Sequence, residues 1–406
     1  MSMNDTPSGE RIHIGFFGRR NAGKSSLVNA VTGQALSVVS PTKGTTTDPV
    51  RKAMEILPLG PVLIIDTPGF DDSGELGELR VEQTRKILAR ADLAVLVCEA
   101  GKDLGATEKQ LLELFHARKI PYVIARNKAD LHPEAVLQSK NEILVSSLTG
   151  AGINELKERM GHMTKDSSRR FIVRDLIRPN DQVVLVIPVD SAAPKGRIIL
   201  PQQQTLRDLL DAGAIGVVTR ERELDQRLAS LKANPAMVIT DSQVFAQVAA
   251  VTPPDVPLTS FSILMARYKG WLEHAVRGIR AVETLKDGDV ILMAEGCTHH
   301  RQCDDIGTVK IPRWLSKYTC RDVYIKTVSG WDFPADVSPY AMVVCCGGCM
   351  LTPREIHSRM EIADAQGVPV TNYGVLIAYM RGVLARSLSV FPDMKDDVRW
   401  LEGTGS

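Results

Sequence analysis

The sequence predicts an α/β fold organised as a three-domain chain. Three observations carry this prediction: the length, an alternation of apolar runs with helical patterns, and two breaks in that alternation. At 406 residues the chain is long enough for two to four domains of roughly 100 to 200 residues each. Hydrophobic residues make up 44% and charged residues 24%, which is typical of globular proteins. We therefore expect several packed units.

The charge balance excludes some classes of partner. Lys and Arg number 49 against 48 Asp and Glu, so the net charge of +1 gives no bulk attraction to nucleic acid or anionic lipid. No apolar run approaches the roughly 18 residues of a membrane span, and MSMNDTPSGERIHI lacks the features of a targeting peptide. We expect a cytoplasmic protein with neither nucleic acid nor membrane as partner.

The first domain, residues 1–165, is predicted to be a parallel sheet wrapped by helices. Its pattern is strand IHIGFF, a helix from Lys24, strand VLIID, a helix at 81–89, strand LAVLVC, a helix at 108–118, and strands YVIA and EILVS. The short polar segment TKDSSRR then serves as a linker.

The second domain, residues 170–260, is predicted to be a smaller α/β unit. It contains strand VVLVIPV, a loop with Pro and Gly, a helix at 205–212, strand IGVVT, a helix at 223–232 and strand AMVIT. Three prolines in VTPPDVPL close it, because proline interrupts both helices and central strands.

The third domain, residues 261–406, is again predicted to be α/β. It begins with one helix over 261–285, continues with strands DVILMAEGC, VYIKTVS and AMVVCC, and includes a helix at 353–365. Two of these strands end in cysteines, which would meet at one edge if the sheet is parallel.

A phosphate-binding loop follows the first strand. Gly18-Arg-Arg-Asn-Ala-Gly23-Lys24-Ser25 matches G-x-x-x-x-G-K-[ST], in which backbone N–H groups surround the phosphates, lysine reaches the β and γ oxygens, and serine holds Mg²⁺. The residues predicted to bind nucleotide here are Gly18, Asn21, Ala22, Gly23, Lys24, Ser25 and Ser26.

Two further segments are predicted to contact the γ-phosphate and Mg²⁺. Asp66-Thr-Pro-Gly69 follows VLIID, so Asp66 reaches Mg²⁺ and the Gly69 N–H contacts the phosphate. With Lys24, these are the predicted catalytic residues. Lys43-Gly-Thr-Thr-Thr fits a switch segment, in which Thr46 or Thr47 closes on Mg²⁺.

The base is predicted to be guanine. In Asn127-Lys128-Ala-Asp130, the Asp130 carboxylate can accept hydrogen bonds from guanine N1–H and the exocyclic amine, which adenine does not supply. A site built for such bonds discriminates by on the order of 10⁴. Ser146 and Ser147 fit the last base-contacting loop. The predicted nucleotide is GTP.

The order and sequence of these motifs over residues 11–163 resemble the TrmE-Era branch of translation-factor-like GTPases. The resemblance implies that Asn21 helps to bind K⁺, which would supply positive charge to the reaction. Phe70 stands where Ras-like proteins carry a water-orienting glutamine, and phenylalanine cannot position water. We expect potassium-stimulated but slow hydrolysis, about 10⁻⁴ to 10⁻² per second without assistance.

Six of the seven cysteines fall within 53 residues, which in a cytosolic chain indicates metal binding rather than disulfides. The turn Cys346-Gly-Gly-Cys349 can ligate a soft ion or an Fe–S cluster, but a structural zinc would accept the same donors. Chemistry alone leaves both open. Cys98 and Cys320 are interpreted as reduced core cysteines.

The combination of the GTPase segment, the middle unit and CTHH…DDIGTVKIPRW…CGGCML resembles the HydF family of GTPase scaffolds in FeFe-hydrogenase maturation, over essentially the whole chain. The resemblance implies a 4Fe-4S cluster on Cys297, Cys346 and Cys349. It also implies a homodimer formed by the middle domain. A transient di-iron precursor would be assembled with two radical-SAM maturases and passed to the FeFe-hydrogenase apoprotein.

One position departs from the family pattern, which usually reads H-C-x-x-C and here has Cys345 in place of the histidine. The fourth ligand could therefore be Asp304, His299, Cys303 or Cys345. We favour Asp304, because an exchangeable carboxylate suits a site that accepts and releases a precursor. His299 matches the histidine of the family C-x-H motif.

Two other functions remain alternatives: a GTPase with a merely structural zinc domain, and an RNA- or ribosome-associated Era-like GTPase. Charge argues against RNA. From Ala266 to the end, 17 Lys and Arg balance 17 Asp and Glu without a basic stripe.

Overall fold

The computed structural model describes residues 6–33, 50–67, 84–164, 170–189, 198–296, 305–330 and 332–394, with residues 396 and 401. The chain forms two compact units, Met1–Ser168 and Arg169–Ser406. The first contains a six-stranded sheet and the second contains two four-stranded sheets. The α/β class is confirmed, while the three domain bounds drawn from the sequence stay predictions.

The sheet of the first unit has the strand order β2-β3-β1-β4-β5-β6. The strands are β1 Ile12–Phe17, β2 Val50–Ile56, β3 Gly60–Asp66, β4 Leu93–Glu99, β5 Tyr122–Asn127 and β6 Glu142–Leu144. All neighbours are parallel except β2 and β3. The prediction of a wholly parallel sheet was therefore wrong at this edge. The connection at 57–59 is only three residues long, which an antiparallel pair can accommodate and a parallel pair cannot.

Helices of the first unit cover both faces of this sheet. They are α1 Lys24–Thr32, α2 Ala106–Ala117 and α3 Ile153–Thr164, with a further helical stretch at 84–88. Alternate residues of β4 enter two different hydrophobic clusters, Val95 on one face and Leu96 on the other. This two-sided burial explains the continuous apolar run LAVLVC. Cys98 is buried there, as predicted, and burial raises the pKa of its thiol to about 12.

Both sheets of the second unit are entirely parallel, with strand orders β10-β9-β7-β8 and β12-β11-β13-β14. The first comprises β7 Gln182–Val186, β8 Ile215–Thr219, β9 Met237–Thr240 and β10 Leu258–Ser260. The second comprises β11 Val290–Glu295, β12 Tyr324–Ser329, β13 Met342–Cys345 and β14 Val370–Asn372. One continuous hydrophobic core includes residues from both sheets.

The helices of the second unit pack on these sheets. They are α4 Leu200–Asp211, α5 Leu224–Ser230, α6 Phe245–Val251, α7 Phe261–Tyr268, α8 Leu272–Gly278, α9 Ile311–Thr319, α10 Pro353–Ala365, α11 Tyr373–Met380 and α12 Leu384–Leu388. No helix among the described residues is long and apolar enough to cross a membrane.

Two predictions about the second unit were wrong. The single helix expected over 261–285 is broken after α7, because Gly270 adopts a left-handed conformation with φ +81° that ends the helix. Cys320 is exposed rather than in the core. It adopts φ +52° where α9 ends, and the chain turns there at the surface.

Two helical glycines provide a test of this packing. Gly278 ends α8, and a Cβ there would lie 2.0 Å from the Val370 backbone oxygen, whereas a Cβ on Gly161 in α3 would lie 3.1 Å from the Pro58 ring. We expect Gly278→Ala to destabilise the second unit by about 1–3 kcal/mol through overpacking against backbone. Gly161→Ala, the matched control, gains helix propensity and meets a proline ring at 3.1 Å rather than a backbone oxygen at 2.0 Å, so it should cost less stability than Gly278→Ala. Calorimetric unfolding of the full chain checks this, and equal melting of both variants would contradict the packing.

Candidate nucleotide site and candidate metal centre

The phosphate loop lies between β1 and α1 and is shaped by two glycines. Gly18 has φ +145°, and a Cβ there would lie 2.3 Å from the Val97 carbonyl oxygen. Gly23 has φ +88°, and its Cβ would lie 2.3 Å from Asn127 Nδ2. Neither position tolerates a larger residue without displacing its neighbour. These contacts fix the loop against β4 and β5.

Lys24 begins α1 with its side chain folded back over the loop. Its Nζ donates to the carbonyl oxygens of Gly18 and Arg19 at 2.9 and 3.0 Å, and the residue is only 8% exposed. Asn21 adopts a left-handed conformation with φ +64° at the centre of the loop. The ammonium and the N–H groups at the helix N-terminus form an arrangement that can bind phosphate. All seven predicted residues of this loop lie in this one segment, at 18–26.

Asp66 lies at the end of β3, opposite Phe16 in the parallel pair with β1. Burial raises the pKa of its carboxyl, while the Lys24 charge and a hydrogen bond from Ser25 oppose the rise. Its Oδ1 is buried without a hydrogen-bond partner among the described residues. An unpaired buried carboxylate oxygen beside the Ser25 hydroxyl fits a Mg²⁺ site. The sequence predicted a contact to Mg²⁺ for each of these two residues, and those roles stay predictions.

Asn127 connects the phosphate loop with the predicted guanine site. Its Nδ2 donates to the Ala22 carbonyl at 3.1 Å, and its Oδ1 accepts from the Ser147 N–H at 3.1 Å. The residue is fully buried. The Asn127 side chain therefore links the end of β5 to the phosphate loop and to the loop that contains Ser147.

The predicted base-contacting residues Asp130 and Ser146 touch each other. Ser146 Oγ donates to Asp130 Oδ1 at 2.5 Å, and the Ala129 N–H donates to the Val145 carbonyl at 3.1 Å. The hydrogen bond from the serine orients the Asp130 carboxylate. Because Asp130 is also exposed, this carboxylate is accessible to a ligand. Lys128, with φ +62°, places its ammonium 3.3 Å from Glu99 Oε2.

Sequence reasoning missed a buried ion pair behind this site. Arg126 Nη2 lies 2.7 Å from Glu142 Oε1, Arg126 Nη1 donates to the Lys102 carbonyl at 2.7 Å, and Glu142 Oε2 accepts from the Gln138 N–H at 2.7 Å. Both side chains are almost fully buried. The signal was present as a charged residue inside the apolar strand YVIARN. This pair fixes the loops on either side of the predicted base site.

Some predicted nucleotide-site residues lie outside the described residues: Thr46, Thr47, Gly69 and Phe70. Their roles stay predictions.

The second candidate site is formed where β11 and β13 end. The strands are parallel, with Ala294 opposite Cys345, so the two cysteine-bearing loops leave the same edge of the sheet, as the sequence predicted. The Gly296 N–H lies 3.1 Å from Cys346 Sγ. Gly296 immediately precedes Cys297 in the sequence. Cys297 itself, with His299, Cys303 and Asp304, lies outside the described residues.

The three cysteines at the end of β13 and in the turn that follows differ in burial. Cys346 and Cys349 are half-buried, whereas Cys345 is buried in the hydrophobic core. Gly348 has φ +67°, and a Cβ there would lie 2.9 Å from Ile356 Cδ1. A glycine is therefore required between the two half-buried cysteines.

Burial disfavours the thiolate form of the two half-buried cysteines in this turn. Burial raises the pKa of Cys349 to about 12 and also raises that of Cys346, although N–H groups of Gly348 and Gly296 partly offset the rise at Cys346. A bound metal cation would displace these protons. Two C-x-x-C sulfurs with an N–H at one of them fit an Fe–S cluster or a soft ion. Within the described part of the chain, no group of three or more Cys, His, Asp or Glu side chains is arranged so that it could hold a metal ion.

Three family profiles match the chain. One described as a hydrogen maturase F tetramerization domain matches residues 273–390, one described as a hydrogen maturase F dimerization domain matches residues 172–270, and one described as a 50S ribosome-binding GTPase matches residues 13–128. The two hydrogen maturase F profiles together cover more than half of the chain.

Curated relatives match about two fifths of the chain. GTPase Der of Wolinella succinogenes is 30% identical over 185 residues, 42% of this chain and 39% of that protein. The tRNA modification GTPase MnmE of Chromobacterium violaceum is 35% identical over 159 residues, 38% of this chain and 35% of that protein. The chain thus spans less than half the length of these relatives.

Among solved structures, the G domain of the T. maritima FeoB iron transporter is 25% identical and covers 38% of this chain and all of that chain, with a TM-score of 0.32. Era of Aquifex aeolicus is 21% identical and covers 53% of this chain and 97% of that chain, also with a TM-score of 0.32. These scores are too low to support any argument about this chain.

The bridging role of Asn127 is testable. Asn127→Ala should weaken nucleotide binding and destabilise the first unit by about 1–3 kcal/mol, because the Ala22 carbonyl and the Ser147 N–H lose their buried partner. Asn141→Ala, where backbone groups make the hydrogen bonds, is the control. Titration with a fluorescent GTP analogue and thermal unfolding measure both effects. Unchanged affinity in Asn127→Ala would contradict the bridge.

Proposed function

Because the chain belongs to the hydrogen maturase F family, we propose that it is a GTPase and iron–sulfur scaffold that accepts a di-iron precursor and transfers it to apo-FeFe-hydrogenase. The observation that carries the proposal is the meeting of the Gly296 N–H with Cys346 Sγ at the ends of two parallel strands. The same chain carries a phosphate loop with Lys24 and Asp66 at its base. Two radical-SAM maturases are the proposed donors of the precursor.

The proposed GTPase reaction uses the charges of the phosphate loop. Lys24 orients the β and γ phosphates and neutralises negative charge that develops as water attacks the γ-phosphorus. Ser25 and Asp66 would hold Mg²⁺, which supplies further charge neutralisation when bound. The Gly69 N–H is the proposed contact to the γ-phosphate. Either Thr46 or Thr47 is the proposed switch contact to Mg²⁺. Hydrolysis yields GDP and phosphate.

We propose that this hydrolysis is slow and stimulated by potassium. Asn21 lies in the loop with φ +64°, where its side chain amide is a proposed K⁺ ligand. Phe70 cannot orient water, so the unassisted rate should be about 10⁻⁴ to 10⁻² per second. A slow GTPase suits a switch for partner exchange better than a supply of chemical energy.

Guanine recognition is tested at Asp130. Asp130→Asn should lower GTP affinity by about 10²-fold or more, because the amide cannot accept both hydrogen bonds from the guanine edge. Xanthosine triphosphate should gain affinity, because its carbonyl can accept from the new amide. Competition against a fluorescent nucleotide measures both. Asp103→Asn, at an exposed position of the same unit, is the control. If Asp130→Asn bound both nucleotides as the parent does, guanine recognition would lie elsewhere.

The proposed cluster ligands are Cys297, Cys346 and Cys349. Asp304 is the proposed exchangeable fourth ligand, with His299 as the alternative. Cys345 is better suited to packing than to ligation, since it is only 6% exposed and lies within the hydrophobic core. Three thiolates and one weak ligand leave one iron able to exchange its partner. A structural zinc on the same donors is the competing proposal.

If the nucleotide and the cluster bind at separate sites, a substitution at one site should leave the function of the other intact. Cys346→Ser should lose iron and hydrogenase activation but retain GTP hydrolysis. Lys24→Ala should lose GTP hydrolysis and retain iron. Cys320→Ser is the control for the cysteine, because Cys320 is exposed and outside the turn. Iron content, phosphate release and activation of apo-hydrogenase are measured on each variant. Loss of both properties in either single variant would contradict separate sites.

We propose a homodimer formed through the second unit, at the edge strand β8. Ile215 and Val218 on this strand are 47% and 51% exposed, and β8 is the outermost strand of the order β10-β9-β7-β8 among the described residues. An exposed apolar edge strand favours pairing with another chain. The match of residues 172–270 to a dimerization domain supports this assignment.

A further inference from the structure

Helix α7 lies directly against the Cys346–Cys349 turn. A Cβ on Gly347 would lie 3.6 Å from Ser262 Oγ, and a Cβ on Gly374 would lie 2.9 Å from the same atom. Asn372 Nδ2 donates to the Ser262 carbonyl at 3.1 Å, which ties the first turn of α7 to β14. The Ser262 hydroxyl is therefore held beside Gly347, one of the two glycines between the half-buried cysteines.

The Ser262 hydroxyl has no hydrogen-bond partner among the described residues, although its oxygen is buried. It does not cap the helix, because Ser260 Oγ accepts from the Ile263 N–H at 3.3 Å and performs that role. A buried hydroxyl left unpaired costs about 1–3 kcal/mol. A sulfur atom held at the adjacent turn would accept a hydrogen bond from this hydroxyl and so remove the cost.

Lys269 provides a second, independent feature on the same helix face, seven residues after Ser262. It is 1% exposed, and its Nζ lies 5.3 Å from the centre of the Tyr268 ring. Its positive charge lowers the pKa of Cys349 against the effect of burial.

We propose that α7 forms a polar wall of the cluster site, in which Ser262 donates a hydrogen bond to a sulfur held at the Cys346–Cys349 turn and Lys269 supplies a nearby positive charge. This inference rests on the proposed Fe–S cluster. Both residues are positioning residues, because they act on the cluster through sulfur and through charge rather than as iron ligands. Hydrogen bonds to sulfur and nearby charge are the main protein features that set cluster potentials.

The wall should favour the reduced, more negative cluster. Removing the hydroxyl in Ser262→Ala should disfavour reduction by about three- to tenfold, and a tenfold change is ~59 mV for one electron. Lys269→Met should shift the midpoint potential in the same negative direction, and Lys269→Arg should restore it. A redox titration followed by electron paramagnetic resonance, on anaerobically prepared full-length protein, measures the shift.

Two matched variants separate this effect from loss of packing. Ser387 is a fully buried serine whose Oγ donates to the Val383 carbonyl at 2.7 Å, and Lys326 is an exposed lysine with its Nζ 5.7 Å from the Tyr340 ring centre. Ser387→Ala and Lys326→Met should leave the potential unchanged. An equal shift in Ser387→Ala would overturn the assignment to Ser262.

The outcomes distinguish this inference from the proposed function. A parent protein that binds no iron would overturn both. A parent cluster whose potential is unchanged in Ser262→Ala would overturn only the polar wall. If Ser262→Ala does not retain iron, pulsed resonance on the parent protein decides: a rapidly exchanging hydroxyl proton coupled to the cluster is expected, and its absence would overturn the inference.

Discussion

Parallel pairing of buried strands is the constraint on which both candidate sites depend. In the first unit, β1 and β3 run side by side with Phe16 opposite Asp66, so the phosphate loop and the carboxylate leave the same edge. In the second, Ala294 opposite Cys345 brings Gly296 to Cys346. A slip of one residue would turn the side chains to the other face and separate both sets of groups. Register therefore fixes the chemistry before any ligand binds.

Each of the two sheet edges holds an acidic group whose protonation a bound cation would affect. Burial raises the pKa of Asp66 in one unit and of Cys346 in the other. Burial disfavours the charged form of each group, and the proposed Mg²⁺ at one site or the proposed iron at the other would favour it. The charge of Lys24 opposes the rise at Asp66, and N–H groups of Gly348 and Gly296 oppose the rise at Cys346. Metal binding to the cysteines is thus expected to release protons.

The motifs of the candidate sites could be recognised in the sequence, whereas the contacts that surround them could not. Motifs such as the phosphate loop depend on local backbone geometry, so they can be recognised in the sequence. Apolar runs such as LAVLVC can be recognised in the same way. The break of the helix at Gly270 and the buried pair of Arg126 with Glu142 depend on tertiary contacts. The role of Ser262 was equally invisible, because its neighbours Gly347 and Gly374 are distant in sequence. Residues 297–304, which carry the third predicted cysteine, stay a prediction.

The most direct test is the content of iron, acid-labile sulfide and zinc in protein purified without oxygen. The account predicts about four irons and four sulfides per chain, with a resonance signal from the reduced cluster. Stoichiometric zinc without iron, persisting after anaerobic reconstitution, would contradict it. The Cys346–Cys349 turn would then belong to a structural zinc domain attached to a GTPase.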